Sequence, residues 1–301
     1  MKTFIYAPNE NWIVDRMLHE FSCRWPEDVT NKLSEATVLW KMSANTWPSD
    51  IPTITTIHHV DPTKAPEGFY AKVDSATDVY HTFSPKTLIQ LQERSDITKP
   101  IFVLPYWVNF GLWHPGDRES SRDKLRHVDK DAFVIGSFQR DTEGHDLLSP
   151  KLSKGPDRFC DYVIKISKER KVHVLLGGWR RQYVIKRLEE AKIEYTYHEL
   201  PPIEEVREMY LACDLYVVGS RYEGGPQSIL EAAATKTPII STDVGIAKDY
   251  LPSRCILDIE NDVYFPTKED VEYAYSKVGN YSLDKDLGYV ALLSRVEKRE
   301  F

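Results

Sequence analysis

An α/β fold built from two parallel-sheet units is what this sequence predicts, and three observations carry the prediction. Short apolar, β-branched runs alternate with segments of helical periodicity along most of the chain. The alternation comes in two series, separated by the charged, aperiodic stretch Asp117-Arg118-Glu119-Ser120-Ser121-Arg122-Asp123-Lys124. At 301 residues the chain also exceeds the size at which one hydrophobic core usually keeps growing. Regular alternation of strand and crossover helix implies parallel sheets. The expected division is a first Rossmann-like unit over 1–115, a linker over 116–130, a second Rossmann-like unit over 131–282, and a helical tail over 283–301 that can cross back to the first.

The first series opens with Thr3 to Ala7, a buried-looking strand ended by Pro8. Trp12, Ile13, Met17, Leu18 and Phe21 then recur at helical spacing. Ala36 to Lys41 and Ile51 to Ile57 read as strands, and the second runs into His58-His59-Val60-Asp61. From there to Asp74 the chain is rich in Pro, Gly and Lys and reads as a loop at a strand's carboxyl end. Ala76 to Phe83 is a further strand, and Ser84-Pro85 marks a helix start, with a capping serine and proline in the first turn. Ile101 to Leu104 is the last strand of the series, ending in Pro105-Tyr106-Trp107-Val108-Asn109.

In the second series the expected strands are Phe133–Ser137, Val172–Leu176, Tyr195–His198, Leu215–Val218 and Pro238–Ser241. The helices between them are expected over 157–169, 180–191, 202–212 and from about Gln227, with a short one from Ile246. The region from Thr267 onward reads as helical and charged, with Tyr273, Leu287, Val290, Leu292, Leu293 and Val296 as apolar positions.

Bulk properties exclude several classes. A net charge of -7 and a pI near 5.8 leave no footprint for nucleic acid held by counterion release. Cys23, Cys160, Cys213 and Cys255 are scattered, without a C-x-x-C pair, so zinc and thioredoxin-like chemistry lack support and reduced thiols in a cytoplasmic chain are expected. The opening apolar run is too short for a signal peptide, and no eighteen-residue apolar segment follows, so a soluble chain is expected. Asp129-Lys130-Asp131 and Asp284-Lys285-Asp286 lie in charged linker and tail rather than at a strand end, and read as chance rather than as a metal site.

The stretch from Val218 to Val244 is the richest in chemistry. A strand opens into a turn carrying Glu223, followed by Gly224-Gly225-Pro226 and a helix carrying Glu231. Glycines let the backbone approach a ligand, and Pro226 at the helix start leaves the N–H groups of Gln227 and Ser228 facing an anion. Two carboxylates beside such an anion site suit the hydroxyls of a ribose or sugar. The ligand expected is one with both phosphates and hydroxyls.

The chain here resembles the retaining GT-B glycosyltransferases of family 4. Ser220-Arg221-Tyr222-Glu223-Gly224, Leu230-Glu231-Ala232, Pro238, Thr242-Asp243 and Gly245 follow that family's E-x7-E setting. Asp214 to Val218 resembles its preceding strand, and Ile135-Gly136 with Lys154-Gly155-Pro156-Asp157 its glycine-and-lysine phosphate loop. The resemblance implies two Rossmann-like domains with parallel sheets facing across a cleft. It also implies a metal-independent enzyme without cofactor that moves a sugar from a nucleotide-sugar donor, a UDP-sugar as the first choice, to a hydroxyl acceptor with retention of configuration. Glu223 would then orient the sugar and stabilise positive charge, Glu231 would bind the ribose, and Lys154 with Arg140 would neutralise the leaving diphosphate. The spacing departs from the family pattern here: Ser137 follows Gly136, and an insertion from Asp141 to Ser153 precedes Lys154.

Gly178 and Arg180, in Gly177-Gly178-Trp179-Arg180-Arg181, match the family's glycine-bearing nucleotide loop, and His198 lies where its base-binding loop is placed. His59, favoured over its neighbour His58, stands where the family has a histidine near the transferred sugar on the acceptor side. Over residues 1–115 ten Lys and Arg stand against thirteen Asp and Glu, which favours a saccharide or protein acceptor over a lipid at an anionic membrane. Two other readings fit parts of the pattern: an inactive GT-B-like nucleotide-binding partner subunit, which the short first unit would suit, and a sugar-nucleotide epimerase, against which the E-x7-E setting argues.

Overall fold

The computed structural model describes residues 1–9, 13–60 and 66–301, so Trp12 and Asp61 lie outside the described residues. Two compact units result: Met1–Asn109 together with Leu283–Phe301, and Phe110–Ser282.

In the first unit the strands are β1 (Thr3–Tyr6), β2 (Val29–Thr30), β3 (Val38–Lys41), β4 (Thr53–Thr56), β5 (Val79–Thr82) and β6 (Ile101–Val103). They form one sheet in the order β2-β1-β3-β4-β5-β6, every pairing parallel. Helices α1 (Ile13–Arg24), α2 (Phe69–Ser75) and α3 (Pro85–Gln92) connect them. Ser84 caps α3 as its sequence suggests, its Oγ accepting from the Thr87 N–H at 3.0 Å. Helix α2 occupies part of what reads as a loop: Tyr70 and Val73 bury one face, and the surrounding Pro and Gly conceal that short period.

Strands β3, β4 and β5 are buried on both faces, so their polar residues must find partners inside. The tail returns to this unit, where a helix over Tyr289–Lys298 packs on β3 and β4. Tyr289 sits among rings: its centroid lies 5.6 Å from Trp40, 5.5 Å from His81 and 5.2 Å from Trp107. Its hydroxyl donates to the Pro105 carbonyl at 2.7 Å. Aromatic pairs of this kind add about 0.5–1.5 kcal/mol each beyond the burial itself.

The second unit begins with α4 (Arg118–Lys124), inside the stretch that reads as linker. Several of its charges are held in ion pairs. Arg118 and Arg122 hold the two oxygens of Asp214 at 2.7 and 2.6 Å, and Ser121 donates to Glu208 at 2.7 Å. Next come β7 (Phe133–Ser137), a small antiparallel hairpin of β8 (Thr142–Glu143) and β9 (Ser149–Pro150), α5 (Pro156–Ser167) and β10 (Val172–Gly178). The series continues through α6 (Gln182–Ala191), β11 (Glu194–Glu199), α7 (Ile203–Ala212), β12 (Leu215–Val218), α8 (Gln227–Ala234) and β13 (Ile239–Ser241). It finishes with α9 (Ala247–Tyr250) and α10 (Lys268–Val278), the terminal helix of the first unit being α11.

The five long strands form a parallel sheet in the order β11-β10-β7-β12-β13. Numbered within the unit this is 3-2-1-4-5, with the reversal between β7 and β12. Ligands in open sheets bind outside the carboxyl ends at such a reversal. Ile135, Phe159, Val163, Val174, Leu176 and Val217 anchor the core beneath it.

Candidate active site

At the reversal, the loop following β7 and the turn following β12 meet backbone to backbone. Gly155 has φ +63°, and a methyl there would overlap the Gly219 carbonyl, so only glycine serves. Gly245 plays the same part on the other side, its missing side chain leaving room for the Glu223 and Gly224 carbonyls. Arg221 then fastens the turn to the first turn of α5, donating to both oxygens of Asp157 at 2.8 and 2.6 Å. Burial pushes the Asp157 carboxyl up, but its bonds to Arg221 outweigh this and hold it below the usual range.

This framework holds Glu223 and Lys154 together. Lys154 Nζ lies 2.5 Å from Glu223 Oε1, with their side chains 24% and 9% exposed, so the pair is sheltered yet reachable. Ser220 Oγ donates to the same carboxylate oxygen at 3.0 Å. Eight residues on, Glu231 is buried on α8 and accepts from the Tyr210 hydroxyl at 2.9 Å. The Tyr210 ring packs on Phe138, Tyr216 and Trp113. Burial and the Glu231 carboxylate push the Tyr210 phenol well above its ordinary value. It is therefore a fixed donor. Pro226 is the N-cap of α8 rather than its first helical residue, and Gln227 and Ser228 open the helix, next to Gly224 and Gly225 in the turn.

Several residues expected at the donor site are placed differently. Gly136 is inside β7, paired with Tyr216 and Leu175. A Cβ there would come within 2.5 Å of the Cys213 sulfur, so the absence of a side chain serves strand-to-helix packing. Arg140 donates through Nε to the Thr142 carbonyl at 2.8 Å and lies over the Trp179 ring at 5.4 Å. Arg180, with φ +59°, flanks the same ring and donates to Gly144 of the hairpin. Gly178 has φ +95° and carries the chain into this turn. His198 pairs with Glu205 at 2.5 Å.

In the first unit, His58 is committed at both ring nitrogens. Nε2 donates to the Met42 carbonyl at 2.7 Å, and Nδ1 therefore accepts from the Tyr106 hydroxyl at 3.0 Å. Burial holds its pKa down to about 4, so it is a neutral imidazole at neutral pH, with both nitrogens engaged inside the unit. His59, beside it after β4, is partly buried.

What sequence reasoning passes over is the support. Tyr210 and Tyr216 are ordinary residues of a helix and a strand, and nothing in the sequence pairs Arg221 of the turn with Asp157 of α5. Arg181, to which the sequence assigns no role, is 1% exposed, with Asp141 as its buried partner. Only the glycines at 155, 219 and 245 leave a signal, since glycine between apolar elements marks close backbone approach. Among the described residues no group of three His, Cys, Asp or Glu is arranged to hold a metal ion, and no helix is long and apolar enough to cross a membrane.

Residues 118–254 match the family described as glycosyl transferases group 1. Over 44 residues the chain is 48% identical to the teichuronic acid biosynthesis glycosyltransferase TuaC of Bacillus subtilis (strain 168). That match spans 15% of this chain and only 11% of TuaC. Among solved structures, Anabaena Alr3699/HepE in complex with UDP-glucose superposes with a TM-score of 0.73 at 12% identity, covering 99% of this chain and 98% of that one. The sucrose-phosphate synthase (tll1590) from Thermosynechococcus elongatus gives 0.61 at 16% identity, over 98% and 78% of the two chains. At such identities the likeness is one of fold. Residues 118–254 are thus similar to the group 1 glycosyl transferases, and the chain as a whole has a GT-B fold.

Proposed function

We propose that this chain is a retaining glycosyltransferase that moves a sugar from a nucleotide-sugar donor, of the UDP-sugar class, to a hydroxyl acceptor without a metal ion. The observation that carries the reading is the Lys154–Glu223 pair at the sheet's reversal. A nucleotide-sugar offers each partner a better match: the diphosphate draws the ammonium, and the sugar hydroxyls draw the carboxylate. Lys154 then offsets the charge growing on the departing diphosphate, helped by the N–H groups that open α8. Glu223 orients the sugar and stabilises positive charge developing at its anomeric carbon. The donor's own phosphate oxygen takes the acceptor proton on the same face, which retains configuration and needs no separate base. Glu231, steadied by Tyr210, accepts from the ribose hydroxyls.

Arg140 is engaged within the hairpin, so the phosphate role rests on Lys154. On the acceptor side the residue proposed is His59, because both ring nitrogens of His58 are committed. The UDP-glucose complex of HepE supports the donor class, and free cysteines at all four positions support a reducing, cytoplasmic setting.

Thermal melting with nucleoside diphosphates and no added magnesium tests this. A ligand at a hundred times its Kd stabilises by about 2.7 kcal/mol, a readily measured rise in Tm. UDP is expected to produce it. If neither UDP, GDP nor ADP does, the reading is wrong.

A further inference from the structure

We infer that buried Arg181 and Asp141 form a positioning pair that fixes the root of the β8–β9 hairpin and, through it, the place where Lys154 presents its ammonium. The inference rests on the functional reading above, in which Lys154 meets the donor's diphosphate.

Arg181 is the N-cap residue of α6, and its side chain and that of Asp141 are each 1% exposed. Its Nε donates to Asp141 Oδ2 at 2.8 Å. One terminal nitrogen donates to the Ser137 and Gly177 carbonyls, and the other to Ser137 Oγ at 3.0 Å. One guanidinium thus ties together the carboxyl ends of β7 and β10 and the first residue of the insertion. Asp141 passes the constraint on. Its carbonyl accepts from the Lys151 N–H at 2.8 Å, and the Lys151 carbonyl accepts from the Lys154 N–H at 2.8 Å. From the other side Gln139 Nε2 donates to the Lys154 carbonyl at 2.8 Å. The main chain of Lys154 is therefore held from both directions, although an insertion of more than a turn precedes it.

Stability alone is a poor reason for such a pair. Burying two charges is costly, and apolar replacements of similar volume are often as stable. What an apolar pair cannot do is reach acceptors in three segments at once, which the planar fork of arginine does. The geometry is what the pair supplies.

The test is a double-mutant cycle on UDP affinity. The wild-type chain is measured first: no binding of UDP, GDP or ADP overturns the functional reading and this inference with it. Given binding, Lys154→Ala is expected to weaken UDP about tenfold, as loss of a charged hydrogen bond does. Arg181→Met combined with Asp141→Leu removes both charges, and is expected to weaken UDP by a similar factor of about ten with little change in melting temperature. Adding Lys154→Ala to that pair should then cost no more than about twofold, since the same contact is already lost. UDP affinity unchanged in the paired variant overturns the inference, as does a full independent loss in the triple variant. Arg181→Lys keeps the charge without the fork, is expected to fall between wild type and the pair, and carries the same cycle if the paired variant fails to fold.

Discussion

Polar side chains at the carboxyl ends of the first sheet and the Lys154–Glu223 pair of the second are used in opposite ways. In the first unit they are consumed as structure. Trp40 Nε1 donates to Thr56 Oγ1 at 2.8 Å, Thr56 donates to His81 Nδ1 at 3.0 Å, and His81 Nε2 donates to the Leu104 carbonyl at 3.3 Å. Lys41, fully buried at the end of β3, donates to the Trp47 and Ala76 carbonyls and lies 4.4 Å from the centre of the Trp47 ring. Burial lowers its pKa to about 8, against the opposing pull of Asp78. In the second unit, Lys154 and Glu223 face each other as opposite charges, partly open to solvent and backed by glycines. A chain of donors ending on backbone carbonyls has no reason to rearrange. A pair of opposite charges can exchange partners when a better-matched ligand arrives.

The largest effect expected from this contrast is on acid stability. Burial brings the pKa of His58 to about 4 and that of His81 to about 3, while unfolded histidine titrates near 6.5. Above about pH 6.5 both are neutral in either state and their contribution is complete; below it the unfolded chain binds protons that the folded chain refuses, so stability falls as pH falls. At pH 5 the two histidines together cost about 4 kcal/mol. In the second unit His173 is also held low by burial, but Asp129 and Glu194 act against that shift. Hydrogen exchange, corrected for intrinsic rate, should therefore show β4 and β5 losing protection between pH 7 and 5 ahead of β12 and β13. Replacing His81 with glutamine should remove roughly half of that pH slope. Equal loss in both sheets would contradict the comparison.

Next in size is Glu223→Ala. If this carboxylate acts on charge that develops only during transfer, turnover should fall about 10²–10³-fold, or about 3–4 kcal/mol on the barrier. UDP affinity should hold or rise, because Lys154 is released from its partner. Steady-state turnover beside equilibrium binding separates the two effects, and a fall in UDP affinity without a fall in turnover would reverse the roles given to the pair.

How much of this was legible in the sequence depended on where each residue's partner lies. All strands but the two-residue β2, β8 and β9, together with the Ser84-Pro85 cap, declare themselves through neighbours a few residues away. Arg118 and Arg122 read as linker because their partner, Asp214, is far along the chain. Arg181 shows no role in the sequence for the same reason: four contacts to Ser137, Asp141 and Gly177 exist only once β7 and β10 lie side by side. His58 and His59 are adjacent and alike in sequence, and only the folded positions of Met42 and Tyr106 tell them apart. Gly136 resembles the glycine of a phosphate loop although the spacing after it departs from that pattern, and the contact that requires glycine there is with Cys213, at the end of α7.

The smallest expected effect probes that supporting layer. Tyr210→Phe keeps the ring, and hence its packing against Phe138, Tyr216 and Trp113, but removes the hydroxyl that donates to Glu231. Loss of one hydrogen bond to a charged acceptor costs about 1.5 kcal/mol, so UDP affinity should fall roughly tenfold. If Glu231 holds the ribose as proposed, turnover at saturating donor should stay near that of the wild type, since the bond then acts away from the sugar in transfer. The opposite pattern, with affinity kept and turnover lost, would move Glu231 from the nucleotide to the reacting sugar. Both carboxylates of the motif would then serve chemistry, and the donor's grip would have to come from the backbone that opens α8.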